Sequence, residues 1–189
     1  MNPSWLAVFA LALCIPSLHG CVPAAVAGAG AAVLVAEDRR TSGTIIDDQT
    51  IETKVRNRIN DKYHDQVHVD LASYNRFVLL VGEVPSQEVK DDIGAIALGV
   101  ENVRNVQNEL TIGPNASGSV HANDAYLTSK VKARFVTENK FQANHVKVIT
   151  ENGVVYLMGL VKRTEGDDAG EIASTTGGVQ KVVKVFEYI

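Results

Sequence analysis

The sequence lacks most of the residues and patterns on which catalysis and nucleotide binding depend. Only two of its 189 residues are cysteines. Cys14 lies inside an apolar leader, so removal of that leader before Cys21 leaves no pair for a disulfide. Neither G-x-G-x-x-G nor a P-loop surrounds Gly82 or Gly159, where a bend at a strand end is predicted instead. These absences argue against a cysteine nucleophile and a phosphate-binding loop.

The sequence also lacks a strong charge of either sign. Its net charge is −4, with 21% charged and 46% hydrophobic residues, which is typical of a globular protein. Nucleic-acid binding would need a basic face, so the composition argues against it. Residues 48–112 hold 7 Lys/Arg against 11 Asp/Glu, whereas residues 124–189 hold 9 against 8. The second half is therefore better suited to an anionic partner.

The histidines and paired carboxylates do not indicate an active site. His64 and His68 are four residues apart, but His68 lies in a predicted strand, where this spacing does not converge on a metal. The pairs Asp91-Asp92 and Asp167-Asp168 are adjacent on predicted helices and point apart, as solvated residues do. We therefore expect no catalytic residue, no metal site and no cofactor. An enzyme would need a polar pocket that the sequence does not indicate.

Residues 1–20 are predicted to be a signal peptide, because Trp5 to Leu18 is apolar and too short to span a membrane. The segment ends in LHGC, with a small residue before Cys21 and a leucine three before it. This resembles the bacterial lipobox, in which cleavage precedes acylation of the cysteine. An ordinary secreted protein cleaved nearby is the alternative, because His19 is unusual there and the first four residues carry no Lys or Arg.

Residues 21–47 are predicted to form a lipidated cysteine and a tether. Acyl chains on Cys21 would hold the protein on a bilayer. Val22 stands where an aspartate would retain a Gram-negative lipoprotein in the inner membrane, so that resemblance implies export to the outer membrane. The stretch from Val22 to Ala36 is rich in Ala, Val and Gly, and its 15 residues are too few for a span. It is interpreted as a tether, with an interfacial helix as the alternative.

An internal duplication fills the rest of the chain. The apolar run Phe77–Val81 recurs as Val154–Met158, 77 residues later, and each run is followed by a glycine. Matching segments precede and follow the runs in the same order. The period is longer than a solenoid repeat, so each copy is predicted to be a small domain. The predicted domains are residues 48–112 and 124–189, joined by a linker at 113–123.

Each copy predicts the order helix, strand, strand, helix, strand. Asp48 and Asp124 are predicted to be the N-caps of the first helices, since apolar residues recur every four positions after them. Asn75-Arg76 and Asn152-Gly153 are predicted to turn between two strands. Each copy should therefore be an αββαβ unit of the α+β class, with a three-stranded mixed sheet and two helices on one face.

These features together resemble the BON domain. Both copies contain the V-x-L-x-G-x-V strand and a later G-V-x-x-V pattern. Two such copies behind a lipobox resemble the dual-BON outer-membrane lipoproteins of Gram-negative bacteria, over residues 41–189. The resemblance implies lipid anchoring on the periplasmic face of the outer membrane and a role in outer-membrane integrity. It also implies two partners, anionic phospholipid such as phosphatidylglycerol and the β-barrel assembly machinery.

The resemblance implies that the first helix of the second domain contacts anionic phospholipid, and the differences between the two copies fit this expectation. Thr50 of the first copy becomes Tyr126, and Asn60 becomes Val136. An aromatic residue with basic neighbours suits a bilayer interface with anionic headgroups. The predicted phospholipid site consists of Tyr126, Lys130, Arg134, Val136 and Lys140. Two alternatives remain: a solvated basic face with Tyr126 packed on the first domain, or an adaptor whose domains bind an envelope protein without recognising lipid.

Overall fold

The computed structural model describes residues 38–189, and residues 37–189 form one compact unit. The predicted signal peptide, the lipidated Cys21 and the Val22–Ala36 stretch lie outside the described residues. Among the helices of this described part, none has the length and apolar character needed to cross a membrane.

Both repeats have the predicted order of elements. The first contains α1 (Ser42–Tyr63), β1 (His68–Tyr74), β2 (Phe77–Val84), α2 (Gln87–Leu98), β3 (Asn105–Asn108) and β4 (Thr111–Ile112). The second contains α3 (Gly118–Glu138), β5 (Val146–Glu151), β6 (Val154–Val161), α4 (Arg163–Ser174) and β7 (Lys181–Tyr188). In each sheet the central strand is antiparallel to the strand before it and parallel to the last one. The predicted α+β fold with mixed sheets is confirmed, although the last strand of the first repeat is divided into β3 and β4, which both pair with β2.

The prediction that Asp48 and Asp124 cap the first helices was wrong. Helix α1 begins at Ser42, where the hydroxyl of Thr41 accepts a hydrogen bond from the Thr44 N–H at 3.1 Å. Helix α3 begins at Gly118, inside the predicted linker. Both aspartates lie within their helices and are buried. The apolar stripe after each aspartate had been recognised, but the four-residue spacing is not continued before it, where Gly43 and Asp47 stand in α1 and Ser119 and Asn123 stand in α3.

The carboxylate of Asp48 holds the β1–β2 turn against α1. Its Oδ1 accepts from the Ser73 hydroxyl and the Arg76 N–H, both at 2.7 Å, and its Oδ2 accepts from the Asn75 N–H at 2.9 Å. Asn75 and Arg76 both have positive φ, as the predicted hairpin turn requires. A buried carboxylate is stable here because these three donors and the Arg40 guanidinium satisfy it.

Asp124 has the same role in the second repeat. It accepts hydrogen bonds from the Asn152 and Gly153 N–H groups, each at 2.8 Å. These two residues also have positive φ and form the predicted Asn-Gly turn. Each helix is therefore fastened to its hairpin by one buried carboxylate.

Gly82 and Gly159 had been predicted to lie at bends where their strands end. They lie within the strands instead. A Cβ atom on Gly82 would lie 2.1 Å from the His68 carbonyl oxygen, and one on Gly159 would lie 2.3 Å from that of His145. Glycine is thus required because the neighbouring strand approaches closely. Both strands continue for two residues beyond the glycine.

Three hydrophobic cores arrange the unit as four layers: helices, sheet, sheet, helices. In each repeat one core lies between the helices and the sheet. A third core lies between the two sheets and is formed by Ala72, Tyr74, Leu79, Val81, Ile149, Tyr156 and Met158. The central strands β2 and β6 are therefore buried on both faces, which explains why their sequences are continuous apolar runs.

The segment before α1 contacts both repeats. The guanidinium of Arg39 makes two hydrogen bonds to the Glu165 carboxylate, at 2.6 and 2.7 Å, and donates to the Leu160 carbonyl at 2.9 Å. This pairing lowers the pKa of Glu165 to about 2. The next residue, Arg40, forms an ion pair with Asp48 at 2.8 Å in the first repeat. Two consecutive arginines thus bind one domain each.

Candidate functional site

The outward face of α3 carries two solvent-exposed hydrophobic side chains. Tyr126 is 62% exposed and Val136 is 68% exposed. They are about 15 Å apart along the helix, given a rise of 1.5 Å per residue. The buried stripe of the same helix runs through Leu127, Val131 and Phe135 on the opposite side. The alternative in which Tyr126 packs on the first domain is therefore wrong.

Two lysines on this helix have no acidic partner. The ammonium of Lys130 lies 5.8 Å from the centre of the Tyr126 ring and donates to the Gly177 carbonyl at 2.8 Å. Lys132 makes no hydrogen bond or ion pair with any residue of the described part of the chain. Residues 125–137 contain no Asp or Glu. Both positive charges are consequently available to an anion.

Arg134 is instead used to hold α3 against α4. Its Nη1 donates to the Ile172 carbonyl at 2.7 Å and to the hydroxyls of Thr175 and Thr176 at 3.0 and 2.9 Å. Its Nε donates to the Glu138 carboxylate at 2.9 Å. The guanidinium therefore has a structural function, and an adjacent carboxylate compensates its charge.

Lys140 lies just beyond the end of α3 and is also paired. Its ammonium is 3.3 Å from a Glu171 carboxylate oxygen and 3.8 Å from one of Asp168. The hydrogen bond to Glu171 raises the pKa of Lys140. The structure thus divides the five predicted site residues into three on an open face (Tyr126, Lys130 and Val136) and two that pair with carboxylates.

A groove of about 460 Å³ runs beside the open face. Its apolar lining includes Phe135, Val136 and Val146, and its cationic lining consists of Lys132, Lys147 and Arg40. Lys147 already pairs with Glu52 at 2.5 Å, so Lys132 supplies the uncompensated charge. A groove with a lysine at its edge and hydrocarbon inside suits a ligand that has an anionic group next to an apolar chain.

Lys132 was not among the predicted site residues, although the sequence contains a signal for it. Lys132 follows Lys130 in the same stretch without acidic residues, and it replaces Arg56 of the first repeat, whose guanidinium lies 3.8 Å from the Asp70 carboxylate. Lys147 and Arg40 also line this groove, but they belong to other elements. Their position could not be foreseen, because it depends on how the two repeats pack.

The predicted carboxylate pairs lie at the surface. Asp92 accepts hydrogen bonds from Lys62 at 2.8 Å and Tyr63 at 2.6 Å, and Asp167 pairs with Lys184 at 2.9 Å. His64 is exposed, whereas the ring of His68 lies 4.2 Å from the ring of His121 in the first turn of α3.

Comparisons with known proteins give consistent results. The BON domain family model matches residues 47–114 and again residues 123–189. The chain is 44% identical over 174 residues to "Outer membrane lipoprotein DolP" of Haemophilus influenzae, covering 91% of this chain and 90% of that protein. It is 31% identical over 154 residues to the "21 kDa hemolysin" of Actinobacillus pleuropneumoniae, covering 80% and 79% respectively. It is 34% identical over 146 residues to "Osmotically-inducible protein Y" of Escherichia coli, covering 74% and 72%.

Proposed function

This chain belongs to the family of outer-membrane lipoproteins with two BON domains, and from that premise we propose that it binds anionic phospholipid through the outward face of α3. The observation that carries the proposal is the pair of lysines without acidic partners beside two exposed hydrophobic residues. Lys130 and Lys132 supply the charge, while Tyr126 and Val136 supply apolar surface.

Two weak attractions would hold α3 on an anionic bilayer. Each lysine near an anionic membrane surface contributes about 1 kcal/mol. A tyrosine is well placed at the boundary between headgroups and acyl chains, because its ring is apolar and its hydroxyl is polar. Neither contribution is sufficient alone, but the anchor on Cys21 would keep α3 close to the bilayer and so raise its effective concentration.

The proposed role in the cell follows from this geometry. The acyl chains hold the protein on the periplasmic face of the outer membrane, and the α3 face selects regions rich in anionic phospholipid. The two domains would thereby support outer-membrane integrity at those regions. Arg134 contributes indirectly, since it fixes the orientation of α3 relative to α4.

The test uses residues 37–189, which contain every contact described above. The protein is titrated with phosphatidylglycerol or phosphatidylethanolamine micelles, and amide chemical shifts are followed by NMR. We expect shifts on residues 125–137 with phosphatidylglycerol alone. Added salt should reduce them, because exposed charges are screened.

A matched pair of double variants assigns the site. Tyr126→Ala with Lys130→Glu should abolish binding while leaving the circular dichroism spectrum unchanged. The control is Thr50→Ala with Lys54→Glu, which changes the corresponding positions of the first repeat and should retain binding. Undiminished binding in the first variant would refute the site. A complete absence of shifts in the unmodified protein would favour the adaptor alternative, with a protein partner in place of lipid.

A further inference from the structure

Three side chains that commonly bind metals meet where the two repeats adjoin. His68 begins β1 of the first repeat, His121 lies in the first turn of α3, and Glu151 ends β5. One potential ligand atom from each lies within 4.8 Å of the other two. The imidazole rings are 4.2 Å apart between centres, and the Nε2 atom of His68 is 4.0 Å from Oε1 of Glu151. Within residues 38–189, no other group of three His, Cys, Asp or Glu side chains is as close.

The carboxylate of Glu151 provides a second, independent observation. Its side chain is only 9% exposed, and its Oε1 atom has no hydrogen-bond partner. A buried oxygen without a donor is costly, and such cases in native proteins often indicate a missing ligand or ion.

The charges around this carboxylate also favour a cation. Glu151 lies in a pocket whose lining also includes the carboxylates of Asp70 and Asp124. Among the described residues that line this pocket, Arg56 is the only lysine or arginine. Positive charge is therefore in deficit at this location.

We propose that His68, His121 and Glu151 form a binding site for a divalent zinc ion that links the two repeats. Two imidazole nitrogens and one carboxylate oxygen are a ligand set that Zn²⁺ accepts. Bonds of about 2.1 Å would place the ligand atoms roughly 3.4 Å apart in a tetrahedron, so the side chains must close by about an ångström. Both histidines are only partly buried and have room to move.

The remaining coordination position would be filled by water, since the surrounding groove of about 460 Å³ is open to solvent. Mg²⁺ and Ca²⁺ prefer sites made entirely of oxygen ligands and should bind more weakly. Because the ligands come from both repeats, the ion would bind the folded arrangement and stabilise it.

The experiment uses the full chain in detergent micelles, freed of metal and titrated with zinc chloride against a competing chromogenic chelator. We expect one ion per chain. His121→Asn and Glu151→Gln should each weaken binding at least tenfold, because loss of even a hydrogen-bond partner behind a metal ligand costs about that much. The matched control is His64→Asn, because His64 is exposed, lies outside the cluster and has the positive φ that asparagine tolerates. This control should bind zinc as the unmodified protein does.

Thermal unfolding provides a second measurement. Zinc should raise the unfolding midpoint of the unmodified protein and of His64→Asn, but not that of Glu151→Gln. Glu151→Gln preserves the shape of the side chain and removes a buried charge, so it should fold even if a histidine variant does not. Absence of saturable binding, or equal binding in His121→Asn, Glu151→Gln and the unmodified protein, would overturn the proposal.

Discussion

The two repeats share the positions that maintain the fold and differ on the outward face of the first helix. Asp48 and Asp124 fasten helix to hairpin in the same way, and the two strand glycines admit the same close backbone approach. In contrast, α1 mixes acidic and basic residues, whereas residues 125–137 of α3 contain no acidic residue. Duplication has therefore preserved the framework and left one surface free to acquire a separate role.

The largest expected effect concerns the buried aspartates. Asp48→Ala should lower the free energy of unfolding by about 4 kcal/mol, because three donors lose their acceptor and the partly buried Arg40 loses a partner. Asp124→Ala should cost about 2 kcal/mol, since two turn N–H groups are affected. Urea denaturation of residues 37–189 measures both. Asp47→Ala, the neighbouring control, should have little effect, and a larger loss for Asp124→Ala would contradict the comparison.

The next effect concerns the glutamates near the start of the second helix in each repeat. Glu165 binds Arg39, whereas its counterpart Glu88 has no basic partner in the described residues. Glu165→Gln should cost about 2 kcal/mol at pH 7, and Glu88→Gln should change stability little. Equal losses in the two variants would show that the arginine contact adds nothing.

The pH dependence sharpens this result. Because the folded-state pKa of Glu165 is lowered from 4.5 to about 2, its stabilising contribution is complete above pH 4.5 and is lost as the pH falls towards 2. Glu165→Gln should remove that part of the acid sensitivity. Urea denaturation at a series of pH values measures it, and an unchanged slope would contradict the assignment.

The smallest effect concerns single charges on the first helices. Lys132→Gln should weaken binding to phosphatidylglycerol about fivefold, the equivalent of about 1 kcal/mol. Arg56→Gln, the matched change in α1, should leave binding unaltered. Micelle titration followed by NMR distinguishes the two. A similar loss in both variants would mean that lipid responds to total charge and not to the α3 face.

Much of the fold could be predicted because the chain repeats its pattern. Hairpin turns, helix order and the mixed sheet all follow from local signals, such as Asn152-Gly153 between two apolar strands. The helix starts could not be placed, because Asp48 resembles a cap in sequence although its partners are in a turn more than 20 residues away. Tertiary hydrogen bonds outweighed the usual preference of aspartate for helix ends.

The packing of the repeats was only partly accessible to sequence reasoning. The continuous apolar runs in β2 and β6 indicate strands buried on both faces, which implies a second layer against each sheet. They do not reveal which side chains meet across the boundary. The encounters of His68 with His121, and of Lys147 with Glu52, depend on that arrangement and have no signal in the sequence.

The contacts of Arg39 and Arg40 have a mechanical consequence. Arg39 is paired with the second repeat and Arg40 with the first. A pulling force on the chain before Asp38 is therefore divided between the two domains. The force is applied where the two repeats adjoin, so it does not unfold α1 first. A protein anchored to a membrane by its amino-terminal side would thus resist mechanical unfolding as one unit.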